Sequence, residues 1–294
     1  MARLALDIGG TKIAAGLVGE GGTVPAPSIT ATPAAGVWDA CAALLRKVAA
    51  DATITSVGIA CAGPVDSTTG RVSPINIDEW SAGFGLVTAV RDLFPGARTQ
   101  LAMDGAAAAL GEHRHGAGRG TTDLVSLVVS TGIGGGVVLA GRIATGRTGN
   151  AGHIGHMVVP GGAEACTCGG IGCLETMASG PASVRWARSH GWTGATGIDL
   201  ASSAAAGDPV AVAALDRAGT ALGAAIASAA ALLDVDLAVV GGGFAQAGPA
   251  LWRPMRAAAA RHARLTFVAG LRIVPAELGS TGTLVGAGVL ALDD

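Results

Sequence analysis

Three cysteines and a histidine crowd one glycine-rich stretch, and together they offer metal chemistry: His156, Cys166, Cys168 and Cys173. Three thiolates and one imidazole make a complete tetrahedral set for Zn²⁺, and the glycines between Cys168 and Cys173 let a loop wrap around an ion. With all four positions filled by protein no place is left for water, so the expected metal is structural. The competing reading is a cluster of reduced thiols in a loop. Cys41 and Cys61 fall in helix and strand contexts and read as packing residues. Five cysteines in 294 residues do not make a disulfide framework.

A second chemistry is written in glycines and carboxylates. In Asp7-Ile8-Gly9-Gly10-Thr11-Lys12 two glycines stand where a backbone can approach a bulky anion, with the Thr11 hydroxyl beside them. Asp7, at a strand end, can hold Mg²⁺ directly or through water. An ordinary hairpin turn explains the same residues. Ser130-Thr131-Gly132-Ile133-Gly134-Gly135-Gly136 carries four glycines in five positions, more than a plain hairpin needs, and a nucleotide phosphate accounts for them. Gly241-Gly242-Gly243 forms a third glycine-marked strand end, suited to the nucleoside. No Gly-Lys-Ser/Thr follows any of these turns, so none is a Walker A loop, and 132–136 leads into a strand rather than the helix of a Rossmann fingerprint. Asp104 stands where a strand hands over to a helix. It reads either as an N-cap or as the base that takes a proton from an acceptor hydroxyl in phosphoryl transfer.

The elements that must position these groups come in two similar runs. Strands are predicted over 3–8 and 12–18, a helix over 37–50, a strand over 56–60, a helix over 86–93, a strand over 99–103 and a helix over 105–112. The pattern restarts with strands over 124–130 and 136–140 around the 132–136 turn. A loop-rich stretch over 145–182 follows, then a helix over 211–233, a strand over 237–240 and a closing helix over 281–290. Two glycine-tipped hairpins, each opening a mixed run of strand and helix, suggest an internal duplication and a two-domain α/β fold with an interdomain cleft. The division expected is 1–115, completed by 281–294, against 116–280 with the cysteine loop.

Composition excludes several classes. Half of the residues are hydrophobic, 14% are charged and the formal net charge is −2, so no basic stripe exists for nucleic acid. The arginines between 253 and 272 are spaced among alanines and read as a solvated helix face. The apolar run 221–240 is broken by Asp234 and Asp236 and reads as a buried helix followed by a strand, not a membrane span. Asp7 interrupts the N-terminal apolar stretch, so no signal peptide is expected and a cytoplasmic enzyme is the default.

Taken together, Asp7–Lys12, Gly63-Pro64-Val65-Asp66, Asn76, Asp104, Thr131–Gly136 and the stretch from Gly149 to Glu175 resemble the ROK family of sugar kinases over nearly the whole chain. The resemblance implies two domains of the actin-like ATPase (ribonuclease H-like) fold, ATP with Mg²⁺ as donor, a structural Zn²⁺ and a homodimer; some members use polyphosphate. It implies Asp104 as catalytic base and Gly63, Asn76, Met103, His153, His156 and Glu175 at the sugar. It places Asp7, Gly9, Gly10, Thr11, Lys12, Thr131, Gly132, Gly134, Gly135, Gly242 and Gly243 at the nucleotide. Two departures stand out. The family usually has Asn before the catalytic Asp, and here Met103 stands there. It usually reads Ala-Gly-Glu-x-Gly-His, and here His153 replaces the Glu. A neutral His can donate a hydrogen bond, for instance to an acetamide carbonyl. The expected reaction is transfer of the γ-phosphoryl group to the 6-hydroxyl of a hexose or N-acetylhexosamine, N-acetylmannosamine first, with glucokinase as the alternative. From another class come a non-catalytic sugar-binding protein and a ROK-type regulator. The regulator would carry a winged helix ahead of the first phosphate turn, where Asp7 leaves no room for one.

Overall fold

The structure, a computed structural model, describes residues 1–292. The first half runs β1 (Ala2–Ile8), β2 (Lys12–Leu17), β3 (Ser28–Ala31), α1 (Val37–Ala49), β4 (Ile54–Cys61), β5 (Val65–Asp66), β6 (Arg71–Val72), α2 (Leu86–Leu93), β7 (Arg98–Met103) and α3 (Asp104–His115). The second half runs β8 (Leu124–Val129), β9 (Ile133–Leu139), β10 (Arg142–Ile143), α4 (Leu174–Ala178), α5 (Gly180–Ser189), α6 (Gly197–Ala205), α7 (Pro209–Leu233), β11 (Leu237–Gly241), α8 (Pro249–His262), β12 (Arg272–Pro275) and α9 (Gly282–Leu290).

The two large sheets share one strand order, β3-β2-β1-β4-β7 and β10-β9-β8-β11-β12. In the first, β1–β2 and β2–β3 pair antiparallel while β1–β4 and β4–β7 pair parallel. In the second, β9–β10 is antiparallel and β8–β11 and β11–β12 are parallel. The duplication read from the two hairpins is therefore present as a repeated sheet. Parallel strands need both faces covered, which is why β1, β4, β8 and β11 are near-continuous apolar runs without alternation.

The chain packs as two compact units. One comprises residues 1–119, 136–152 and the chain from Ser280 on; the other comprises 120–135 and 153–279. This redraws the division expected from sequence, because residues 136–152 pack with the first unit and the crossing falls inside β9. The closing helix α9 belongs to the first unit; Asp293 and Asp294, included in that expected segment, lie outside the described residues.

Local physics explains how the first unit holds its shape. Gly36 supplies the left-handed turn before α1, and the Glu79 carboxylate accepts from Val37 N at 3.0 Å, so a side chain distant in sequence caps this helix. Helices α3 and α9 pack through small residues: a Cβ on Gly286 would stand 1.8 Å from Ala107 O, a contact that only glycine permits. In the second unit α7 is long and apolar enough to cross a membrane by composition, yet it packs against α4, α5, α6 and α8 as their common core helix. The arginine-bearing helix is shorter than expected. It ends at His262, and Arg272 opens β12 instead.

Candidate functional site

In the first unit the register sets Asp7 opposite Ala60, and Ala60 opposite Ala102, so Asp7 and Asp104 come to the same C-terminal edge of parallel strands. Ligands of open α/β sheets bind at such edges. Asp7 is 7% exposed; burial above all, then the Asp104 charge, pushes its pKa up from 3.8 to about 7, against a lowering by Lys12. Burial likewise raises Asp104, opposed by the Gly105 N–H, which donates to Asp104 Oδ1 at 2.6 Å. A raised carboxyl pKa makes a better proton acceptor at neutral pH. Asp104 is not the N-cap of α3: the helix starts at Asp104 itself, and Met103 holds the cap position without a side-chain bond.

Around this edge the loops gather other expected residues. Ile75 N donates to Gly63 O at 3.4 Å, and Asn76 lies so close to Gly10 that a Cβ there would stand 2.7 Å from Asn76 O. The Gly9 N–H donates to Lys12 O at 3.0 Å. That amide closes the hairpin turn. The Thr11 carbonyl accepts from Thr32 N, and Lys12 Nζ donates to Ser280 O at 3.3 Å. Met103 is 2% exposed and sits in the main hydrophobic core of this unit, so it fills volume where the family pattern has a polar group.

The second glycine run, which spans the division between the units at residues 135 and 136, is built differently from the expectation. Gly134, Gly135 and Gly136 lie within β9, and only residues 130–132 form the turn, closed by Ser130 N donating to Gly132 O at 2.8 Å. Gly136 has a packing reason: a Cβ would stand 2.5 Å from Gly105 O and 2.6 Å from Ala106 Cα. Gly242, at φ +93°, lets the end of β11 pass Val129, where a Cβ would stand 2.3 Å from Val129 O. Thr131 and Gly243 both line a cavity of about 1000 Å³. Val184, Ile198 and Phe244 give it apolar wall, and Arg185, Arg188 and Thr196 give it polar groups. Volume and lining suit a nucleotide-sized ligand. Val184, Arg185, Arg188 and Ile198 come from α5 and α6, which the loop-rich composition of 145–182 and the glycine and threonine content beyond it concealed.

The cysteine loop assembles as its spacing predicts. Ligand atoms of His156, Cys166, Cys168 and Cys173 all lie within 4.8 Å of one another. Cys168 Sγ and Cys173 Sγ are 3.7 Å apart, as are Cys166 Sγ and His156 Nδ1. A tetrahedral ion with Zn–S of about 2.3 Å and Zn–N of about 2.0 Å gives edges of roughly 3.5–3.8 Å, so the donor set fits. Nδ1 is the ring nitrogen that His156 turns to Cys166, so an ion held by this set would meet Nδ1 and leave Nε2 for another partner. His153 lies beside it, ring centroids 5.8 Å apart; burial, then His156, pushes its pKa below 6.5 against a raising by Glu175, so the ring is held neutral. Glu175 projects from α4, which begins immediately after Cys173. Sequence reading missed Arg217, which donates to Met177 O at 2.9 Å and to Glu164 Oε1 at 3.1 Å and so ties the loop to α4.

The chain is similar to known proteins over most of its length. The ROK family profile matches residues 3–294. A kanosamine kinase of Amycolatopsis mediterranei is 34% identical over 294 residues, covering 98% of this chain and 95% of that protein. An N-acetylmannosamine kinase of Shigella boydii is 37% identical over 249 residues, covering 82% of this chain and 83% of that protein. Among solved structures, a ROK family glucokinase from Streptomyces griseus in complex with glucose and AMPPNP aligns with a TM-score of 0.81 at 33% identity, covering 99% of each chain.

Proposed function

The chain belongs to the ROK family, matched from residue 3 to the end, and from that premise we propose that it is an ATP-dependent sugar kinase acting on the 6-hydroxyl of a hexose or N-acetylhexosamine. The observation that carries this reading is the pair of carboxylates at one strand edge, Asp7 buried and Asp104 half-buried, both with raised pKa. Asp104 orients the sugar hydroxyl and accepts its proton as the oxygen attacks the γ-phosphorus and the bond to the ADP oxygen breaks. Asp7 would hold Mg²⁺, which would supply positive charge beside the transferred phosphoryl group. Gly10, Thr11 and Lys12 serve the phosphates, and the cavity of Thr131 and Gly243 takes the nucleoside. Gly63, Asn76, His153, His156 and Glu175 serve the sugar.

His156, Cys166, Cys168 and Cys173, gathered within 4.8 Å of one another, would hold a structural Zn²⁺ that fixes the loop carrying the sugar residues. The neutral state of His153 suits a donor to an acetamide carbonyl and puts N-acetylmannosamine first. The fold does not separate kinase from regulator, whereas the retained carboxylates favour the enzyme.

A coupled assay over glucose, mannose, N-acetylglucosamine and N-acetylmannosamine, with ATP and with polyphosphate, tests the reading, alongside elemental analysis for one zinc per chain. Turnover with an N-acetylhexosamine is expected. A clear preference for glucose removes the N-acetylhexosamine assignment, and no turnover with any sugar removes the kinase.

A further inference from the structure

Glu175 has a second partner that sugar binding does not account for. Its Oε2 accepts the Ile133 N–H at 2.7 Å. Further along the same segment, Gly180 N donates to Ser130 O at 2.9 Å. Residues 175–180 therefore brace the Ser130–Ile133 turn at both ends, and this turn supplies Thr131 to the wall of the nucleotide-sized cavity. Gly132 shows how close the fit is. Its backbone has no left-handed φ that would call for glycine, yet a Cβ would stand 2.5 Å from Glu175 Oε2. Glycine at 132 is what lets the carboxylate close on the turn.

We propose that Glu175 is a positioning residue for the phosphate turn as well as a sugar ligand, and that sugar and nucleotide reinforce each other's binding through it. The proposal rests on the kinase reading above. One carboxylate oxygen stays on the Ile133 N–H while a sugar hydroxyl donates to the other. An ordered carboxylate holds the turn in one arrangement, so the nucleotide no longer bears the entropy of fixing it. A nucleotide that fixes the turn fixes the carboxylate for the sugar by the same factor, as linkage requires.

Isothermal titration of the full chain with AMPPNP and Mg²⁺, alone and with saturating glucose or N-acetylmannosamine, reads this factor directly. In the wild type the Kd of AMPPNP is expected to fall at least about fivefold with one of the sugars. Gly132→Ala drives a methyl group against the carboxylate and is expected to bring the factor near one and to weaken sugar binding. Glu175→Gln, which keeps an acceptor for Ile133 N–H but not its charge, should lie between. Should Gly132→Ala fail to fold by circular dichroism, Glu175→Ala takes its place, with a factor near one expected. A wild-type factor of one, binding of neither sugar, or an unchanged factor in a folded Gly132→Ala overturns the proposal. Turnover with a factor of one sinks this coupling alone, whereas a factor above five without turnover sinks the kinase reading alone.

Discussion

In the first unit the hairpin from β1 to β2 keeps Gly9 and Gly10 outside both strands, and a buried carboxylate, Asp7, stands at its entrance. In the hairpin from β8 to β9 three of the four glycines lie inside β9, and the turn itself carries hydroxyls and a braced backbone. Both hairpins open a sheet of the same strand order. Equal topology thus carries unequal chemistry. One edge offers carboxylates, and the other offers backbone, hydroxyls and the wall of a cavity of about 1000 Å³. The glycines differ in the same way. Gly10 makes room for Asn76, whereas Gly136 lets a strand lie against α3.

Removing the charge at the first edge should have the largest effect. Asp104→Asn is expected to lower kcat by about 10³-fold, within the range for loss of a general base, with the sugar Kd changed less than threefold. Steady-state kinetics with parallel titration decide this, and near-normal turnover ends the assignment of Asp104 as base.

Next comes the pH dependence of Asp7. Its folded pKa lies above its unfolded one, so the folded state binds the extra proton. The contribution to stability is full below 3.8 and is lost as pH rises to about 7. Urea denaturation at a series of pH values should show wild-type stability falling relative to Asp7→Asn by up to about 1.4 kcal/mol per pH unit in that window. Parallel profiles for the two proteins would remove the electrostatic contrast between the hairpins.

The smallest effect separates glycines within β9. A Cβ on Gly136 meets Gly105 O at 2.5 Å, while a Cβ on Gly134 meets nothing within 4 Å. Gly136→Ala is expected to cost about 1–3 kcal/mol of stability and Gly134→Ala within about 0.5 kcal/mol, by thermal denaturation. Equal costs at both positions contradict the packing account of Gly136.

The particulars show what could be read from the chain. His156, Cys166, Cys168 and Cys173 were legible because metal ligation needs fixed donor types at short spacing, and the fold brings the four together. Helices α5 and α6 were hidden, because alanine, serine and glycine give little apolar periodicity, and with them went Val184, Ile198 and the arginines of the cavity wall. The strands β3 and β12 are four residues each, too short for a pattern to stand out.

The sequence alone determined the family, the duplicated α/β pattern, the cluster of one histidine and three cysteines and the aspartates at strand ends, because each depends on residue type and local order. Only the tertiary structure decided which glycines serve a turn and which serve packing, that Met103 is core, that residues 136–152 pack with the first unit, and that Glu175 holds the Ile133 amide. Those depend on which atoms from distant parts of the chain come within a few ångströms, and no local pattern records such distances.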